Sequence, residues 1–158
     1  MPGNIISNPA QILETAKTIL LVDWPNQSVP RILLNAGFTV FGFSPGRYSL
    51  AEVVAEYPHD MNQKDDVFAP KNENDRDYLV FRRLDARPES VDIVNVYRPE
   101  EELAEIIENN VLPLNAKTLW LQPPVTSAKA KSIAEEHGLV FVEGNDIAEI
   151  ARSILTTK

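Results

Sequence analysis

Six consecutive residues, Asp23-Trp24-Pro25-Asn26-Gln27-Ser28, stand between an apolar run and a helical pattern and offer a carboxylate, an indole, two amides and a hydroxyl. Where a strand turns into a helix, unpaired backbone N–H groups gather, and an anion or a flat ring can be held there. The side chains pull in both directions. Asp23 sets a negative charge where a phosphate would lie, and Pro25 and Pro30 each remove a backbone donor. Asn26, Gln27, Ser28 and the amide of Val29 remain as polar partners, while the Trp24 indole reads either as a stacking platform or as a cover for the turn. Asp23 as a base is the remaining chemistry, but no turn pairs a nucleophile with an oriented base, and a strand-end aspartate reads more simply as a cap.

Three further turns carry polar groups: Ser44, Pro45 and Arg47; then Tyr97 and Arg98; then Gln122 and Pro123. The elements that must bring these turns together alternate along the chain. Asn8-Pro9 reads as an N-cap and first-turn proline, with Ile12, Leu13 and Ala16 on one helix face. Residues 18–22, TILLV, form the nearly unbroken apolar run expected of a strand buried on both faces of a parallel sheet. Ser28 is expected to cap a helix carrying Val29, Ile32, Leu33 and Ala36, stopped by Gly37. A second strand follows at 38–43. Ser49 and Glu52 form a capping-box pattern, which predicts a short helix before Pro58.

Residues 58–77 are polar and almost free of aliphatic side chains, and are expected to be a surface excursion within one domain. Strands are then expected at 78–81 and 91–96, a helix beginning at Pro99 with Leu103, Ile106 and Ile107 buried, and a strand at 117–121. A helix capped by Thr126 or Ser127 ends at His137-Gly138, a strand follows at 139–142, and Asn145 is expected to cap the last helix. Five to six strands separated by helices imply an α/β three-layer sandwich with a mostly parallel sheet in a single domain, 1–158. Ligands of such sheets sit beyond the carboxyl ends of the strands, so the candidate pocket is built from residues 23–28, 44–48, 97–98 and 122–125.

Composition removes whole classes of function. The chain has no cysteine, which excludes disulfides and thiolate chemistry, and a net charge of −8, which speaks against broad nucleic-acid binding. Neither His59 nor His137 stands in a zinc-like spacing, both are expected to face solvent, and no metal is expected. No apolar run approaches the ~20 residues of a membrane span and the first residues lack the pattern of a signal peptide, so the expected location is the cytoplasm.

A dinucleotide site normally follows its first strand with G-x-G-x-x-G and ends its second on an acidic residue. Here the glycines are absent and the second run ends Phe43-Ser44-Pro45-Gly46-Arg47. An arginine there disfavours NAD and suits a phosphorylated ribose, as in NADP or coenzyme A (CoA). The bland alternative is a surface arginine in a tight turn.

The downstream half adds a resemblance. VDIVNVYRPEEELAEII at 91–107 and AKTLWLQPPVTSAKAKSIAEEHGLVFV at 116–142, with AGFTVFGFSP at 36–45, resemble the small bacterial CoA-binding proteins. Their Rossmann-like domain is similar to the N-terminal domain of the succinyl-CoA synthetase alpha subunit. The resemblance implies CoA or acyl-CoA as ligand, ahead of NADP, lying between the first turn and the Ser44-Pro45 turn, with Arg98 and Gln122 near the pocket floor. The chain departs from that family where Asp23 and Trp24 replace a glycine and small residues, where Pro123 or Pro124 replaces a glycine, and where Glu143-Gly144-Asn145-Asp146 replaces an Asp-Arg-Cys-like motif. The expectation is a non-catalytic binder of a small nucleotide, without nucleic-acid or membrane partners and with a homo-oligomer open. The alternatives are a structural or interaction module that lost its cofactor site and, more weakly, an NADP-dependent enzyme.

Overall fold

The computed structural model describes residues 8–44, 46–60, 65–70 and 77–157. Eight strands form one mixed sheet: β1 (Thr18–Val22), β2 (Thr39–Phe43), β3 (Tyr48–Val54), β4 (Asp66–Phe68), β5 (Tyr78–Arg83), β6 (Ile93–Val96), β7 (Thr118–Leu121) and β8 (Val140–Val142). Their order is β4-β5-β3-β2-β1-β6-β7-β8. From β2 to β8 all neighbours are parallel, whereas β3, β5 and β4 add on antiparallel beyond β2. The expected α/β sandwich stands, but with eight strands in place of five or six. The surplus comes from β3 and from β4, which lies inside the polar excursion; residues 61–64 and 71–76 of that excursion lie outside the described residues.

The sheet divides two apolar cores. On one face, helices α1 (Pro9–Thr15), α2 (Ser28–Asn35) and α5 (Ile147–Thr157) pack over Ile19, Leu21, Phe81, Ile93 and Trp120. On the other, α4 (Ala128–Glu136) and an irregular helix cover Leu20, Val22, Val94, Val96 and Leu119. That irregular helix runs from a 3-10 turn, Glu100–Glu102, through α3 (Leu103–Ile106) and a π turn, Ile107–Val111, to Leu112–Leu114. Leu103, Ile106 and Ile107 are its buried side, as their spacing predicts. Asn8 caps α1 through Ala10 N (2.9 Å) and Ser127 caps α4 through Ala130 N (3.0 Å). Gly37 takes a φ of 98° at the stop of α2, a conformation open to glycine at no steric cost.

Three local expectations are corrected. Residues 49–54 form a strand, not a helix: β3 pairs with β2 through Gly42↔Ser49 and with β5 along its whole length. Ser49 therefore lies against Gly42 instead of capping, and Glu52 reaches across to Arg82 Nε (2.9 Å), so tertiary pairing overrides the capping signal. The N-cap of α2 is Gln27, and Ser28 N is satisfied by Asn26 Oδ1 (2.9 Å). The cap of α5 is Asp146, whose Oδ1 accepts from Ala148 N (2.9 Å); Asn145 instead presents its carbonyl to Trp120 Nε1 (2.8 Å).

Asn95 is the anomaly of the core. It sits fully buried in β6 between Leu21 and Trp120, and neither amide atom has a hydrogen-bond partner. An unsatisfied buried amide costs roughly 1–3 kcal/mol. Asn95→Leu, which keeps the branched shape and removes both polar atoms, is expected to raise the melting temperature by several degrees in a thermal melt, at ~2–4 °C per kcal/mol for a chain of this size. A lower melting temperature would mean that the amide holds a buried water.

Candidate functional site at the carboxyl edge of the sheet

Strand order reverses at β1: the chain leaves it through α2 to β2 on one side and later returns as β6 on the other. The carboxyl ends of β1, β2 and β6 therefore open into a crevice at the switch point, the usual ligand position in such sheets. Asp23, Ser44, Tyr97 and Arg98 all stand there. Backbone bonds hold the turns level: Asp23 N donates to Phe43 O (3.3 Å), Tyr97 N to Val22 O (3.0 Å) and Gln122 N to Val96 O (2.9 Å).

Asp23 has a φ of 64°, a left-handed conformation that side chains other than glycine, asparagine and aspartate rarely take. Its carboxylate stabilises that turn itself, Oδ1 accepting from Trp24 N (3.0 Å). The other oxygen reaches across the crevice to Arg98 Nη1 (2.9 Å). Arg98 also grips Glu102 through Nε and Nη2, both at 2.9 Å. Glu102 first, then Asp23, hold the guanidinium proton more tightly than usual, and Arg98 in turn holds the Glu102 carboxyl below its ordinary range. The arginine is thus a positive centre already flanked by two carboxylates.

The cavity at this point is about 260 Å³, between Val22, Asp23, Phe43, Ser44, Arg98 and Glu102. That is below the ~300–1,000 Å³ of most ligand pockets. A larger cavity, about 520 Å³, lies at the opposite edge beside α1, Asp92 and Lys117. Of its two acidic residues, Glu14 and Asp92, the second is already committed: Asp92 Oδ2 accepts from Lys17 N (2.7 Å), Thr18 N (3.1 Å) and Thr18 Oγ1 (3.3 Å). Strand polarity favours the smaller cavity as the ligand edge.

The remaining sequence-derived residues fall into two groups. Trp24 is half-buried and stacks on Phe81, centroids 4.7 Å apart and planes 12° apart, so one face of the indole is covered by the protein itself. Pro25 and Asn26 are exposed in the first turn, Ser28 opens α2, and Val29 N bonds weakly to Asn26 O (3.4 Å). Arg47 is exposed in the β2–β3 turn, and Pro45 lies outside the described residues. Gln122 is buried and points away from the crevice: Nε2 donates to Asp146 Oδ1 (2.9 Å) and Oε1 accepts from Ile147 N (3.2 Å). It anchors the start of α5, and Pro123 follows it with a cis bond to Pro124. His59 and His137 are both exposed.

Sequence reasoning missed Arg31, a buried residue of α2 whose guanidinium bonds Gln27 Oε1 (2.8 Å) and the carbonyls of Asp77 (2.6 Å), Phe68 (3.2 Å) and Ala69 (3.4 Å). Its helical position alone could have flagged it, since it falls beside Leu34 on the face that packs on the sheet. It also missed Arg83, at the carboxyl end of β5.

A family model described as a CoA binding domain matches residues 36–148. The chain belongs to the CoA-binding domain family. The matched segment of this CoA-binding-family chain begins after β1, the Asp23 turn and α2, so the most altered turn lies upstream of it. Among curated proteins, none matches the chain. Two solved structures share its fold: a hypothetical protein from Pyrococcus horikoshii OT3, with TM-score 0.64 and 18% identity over 98% of this chain and 96% of that one, and a Thermus thermophilus protein, with TM-score 0.61 and 19% identity over 94% and 99%. At such identities the likeness establishes the fold alone. Among the described residues no helix is long and apolar enough to cross a membrane.

Proposed function

We propose that this domain binds coenzyme A, or a related phosphorylated adenine nucleotide, at the carboxyl edge between the turns after β1, β2 and β6, and does so without catalysing a reaction. Family membership points to CoA. The observation that carries the reading at residue level is the Asp23–Arg98 ion pair, a charged contact across the switch-point crevice where a ligand phosphate is ordinarily held. Asp23, Trp24, Ser44, Arg47, Tyr97 and Arg98 are the side chains we place around the ligand. Both oxygens of Asp23 are engaged, by Trp24 N and Arg98, which supports binding over base catalysis.

The same ion pair also supports a second reading, a structural or interaction module whose site is closed by its own carboxylate. Tyr57 and Phe68, large apolar residues left exposed near the excursion, suit a protein partner. A thermal-shift panel of CoA, acetyl-CoA, NAD and NADP separates the two. A ligand at 100 times its dissociation constant adds ~2.7 kcal/mol, or about 5–10 °C for a chain of this length. We expect that rise with CoA and little with NAD. A flat response across the panel would leave the module reading standing and remove the binding one.

A further inference from the structure

With Arg98 occupied, the ligand's phosphate needs another cation, and the outer flank of β2 supplies two. Among the described residues, neither Arg47 nor Arg83 enters an ion pair. Arg83 Nη1 is buried and has no hydrogen-bond partner. The nearby carboxylate of Asp65 accepts from the Arg83 backbone N (2.8 Å) and turns its other oxygen toward Arg82 (3.8 Å).

Register places Arg83 beside the nucleotide edge. Leu21↔Gly42, Gly42↔Ser49 and Ser49↔Arg83 form one row across β1, β2, β3 and β5. Arg83 follows Phe81 by two residues, so it shares the sheet face on which Trp24 stacks. Gly42 lets that row pack closely, with Ser49 and Phe81 filling the space above it; a Cβ there would meet Ser49 Oγ at 3.0 Å and the Phe81 ring at 3.1 Å. Leu84 N bonds Tyr48 O (2.9 Å), which brings the end of β5 against the turn carrying Arg47.

In folds of this class the end of the second strand meets the adenosine ribose. On the side away from β1, the strands next to β2 are β3 and then β5. We infer that Arg83, with Arg47, binds the ribose phosphate of the nucleotide and makes the domain discriminate phosphorylated from unphosphorylated adenosine ribose. Arg83 is only partly buried as a residue, so a turn of the guanidinium toward Arg47 exchanges an unpaired N–H for a charged bond.

The inference rests on the CoA reading, and calorimetric titration of CoA and 3′-dephospho-CoA tests the two separately. The wild type should bind CoA about tenfold more tightly than dephospho-CoA. Arg83→Gln should collapse that ratio toward one by weakening CoA alone, while the melting temperature of the unliganded protein stays level or rises. Arg83→Lys should retain part of the ratio. Equal affinity of the wild type for both ligands, or an unchanged ratio in Arg83→Gln, overturns the inference while leaving CoA binding in place. Failure of the wild type to bind either ligand overturns both. Should Arg83→Gln not fold, the wild-type ratio and Arg83→Lys decide.

Discussion

Asp23→Gly is expected to tighten CoA binding about tenfold while leaving the fold intact. The Asp23 carboxylate lies 2.9 Å from Arg98 Nη1, which on the proposed reading is the place a ligand phosphate would take. Hydrogen bonds to charged groups contribute ~1.5–3 kcal/mol. Side-chain exposures of 38% and 31% for Arg98 and Asp23 reduce that through solvent screening. A remainder near ~1.4 kcal/mol corresponds to a factor of ten in affinity. Glycine also takes a φ of 64° without the roughly 1–2 kcal/mol steric cost that a side chain bears there. That relief offsets the lost bond to Trp24 N. Asp23→Asn is the control, since asparagine tolerates the same backbone and differs in charge. Calorimetric affinities that are the same in wild type and both variants would show that Arg98 does not meet the ligand.

The second large effect concerns stability and lies at the other edge of the sheet. Asp92 Oδ2 gathers Lys17 N, Thr18 N and Thr18 Oγ1, while Thr18 Oγ1 accepts from Asp92 N (2.9 Å). These bonds fasten the start of β1 to the residues before β6. Asp92→Ala is expected to cost about 2–4 kcal/mol, because it leaves backbone donors unpaired. The melting temperature should fall by ~5–15 °C, with CoA affinity unchanged.

This loss should depend on pH. Burial pushes the Asp92 carboxyl up, but the hydrogen bonds from Lys17 and Thr18, with the Lys117 charge, hold it below its ordinary value. A depressed carboxyl contributes stability above its unfolded pKa of ~3.9 and loses it as pH falls through the folded value. The gap between wild type and Asp92→Ala should thus be constant from about pH 5 to 8 and narrow below about pH 4. A gap that persisted undiminished at pH 2 would mean the carboxylate charge is not what holds the strands together.

The repeating parts of this fold could be read from local sequence because their causes are local. An apolar run such as residues 19–22 has to be buried on both faces, Asn8 and Ser127 cap the helices that begin beside them, and Gly37 and Gly138 sit where φ is positive. Ser49 and Glu52 misled for the opposite reason: their capping signal is worth about 1 kcal/mol, less than two ladders of cross-strand pairing. The site was legible as a set of turns but not as a set of partners. Asp23 and Arg98 are 75 residues apart in sequence, and nothing in either segment says that they neutralise each other. Gln122 shows the same limit. It stands at a strand end, as a pocket residue should, yet Asp146 and the amide of Ile147 draw it into the core.

Arg31 has a consequence for how this chain tolerates change. One guanidinium ties the carbonyls of Phe68 and Ala69 to that of Asp77, so both ends of the segment between them are fixed at the same point on α2. Phe68 ends β4 and Asp77 directly precedes β5, so the guanidinium fastens the antiparallel margin of the sheet to α2. A substitution in that helix is therefore felt at the outermost strands, which among the described residues have no neighbour beyond β4 to steady them.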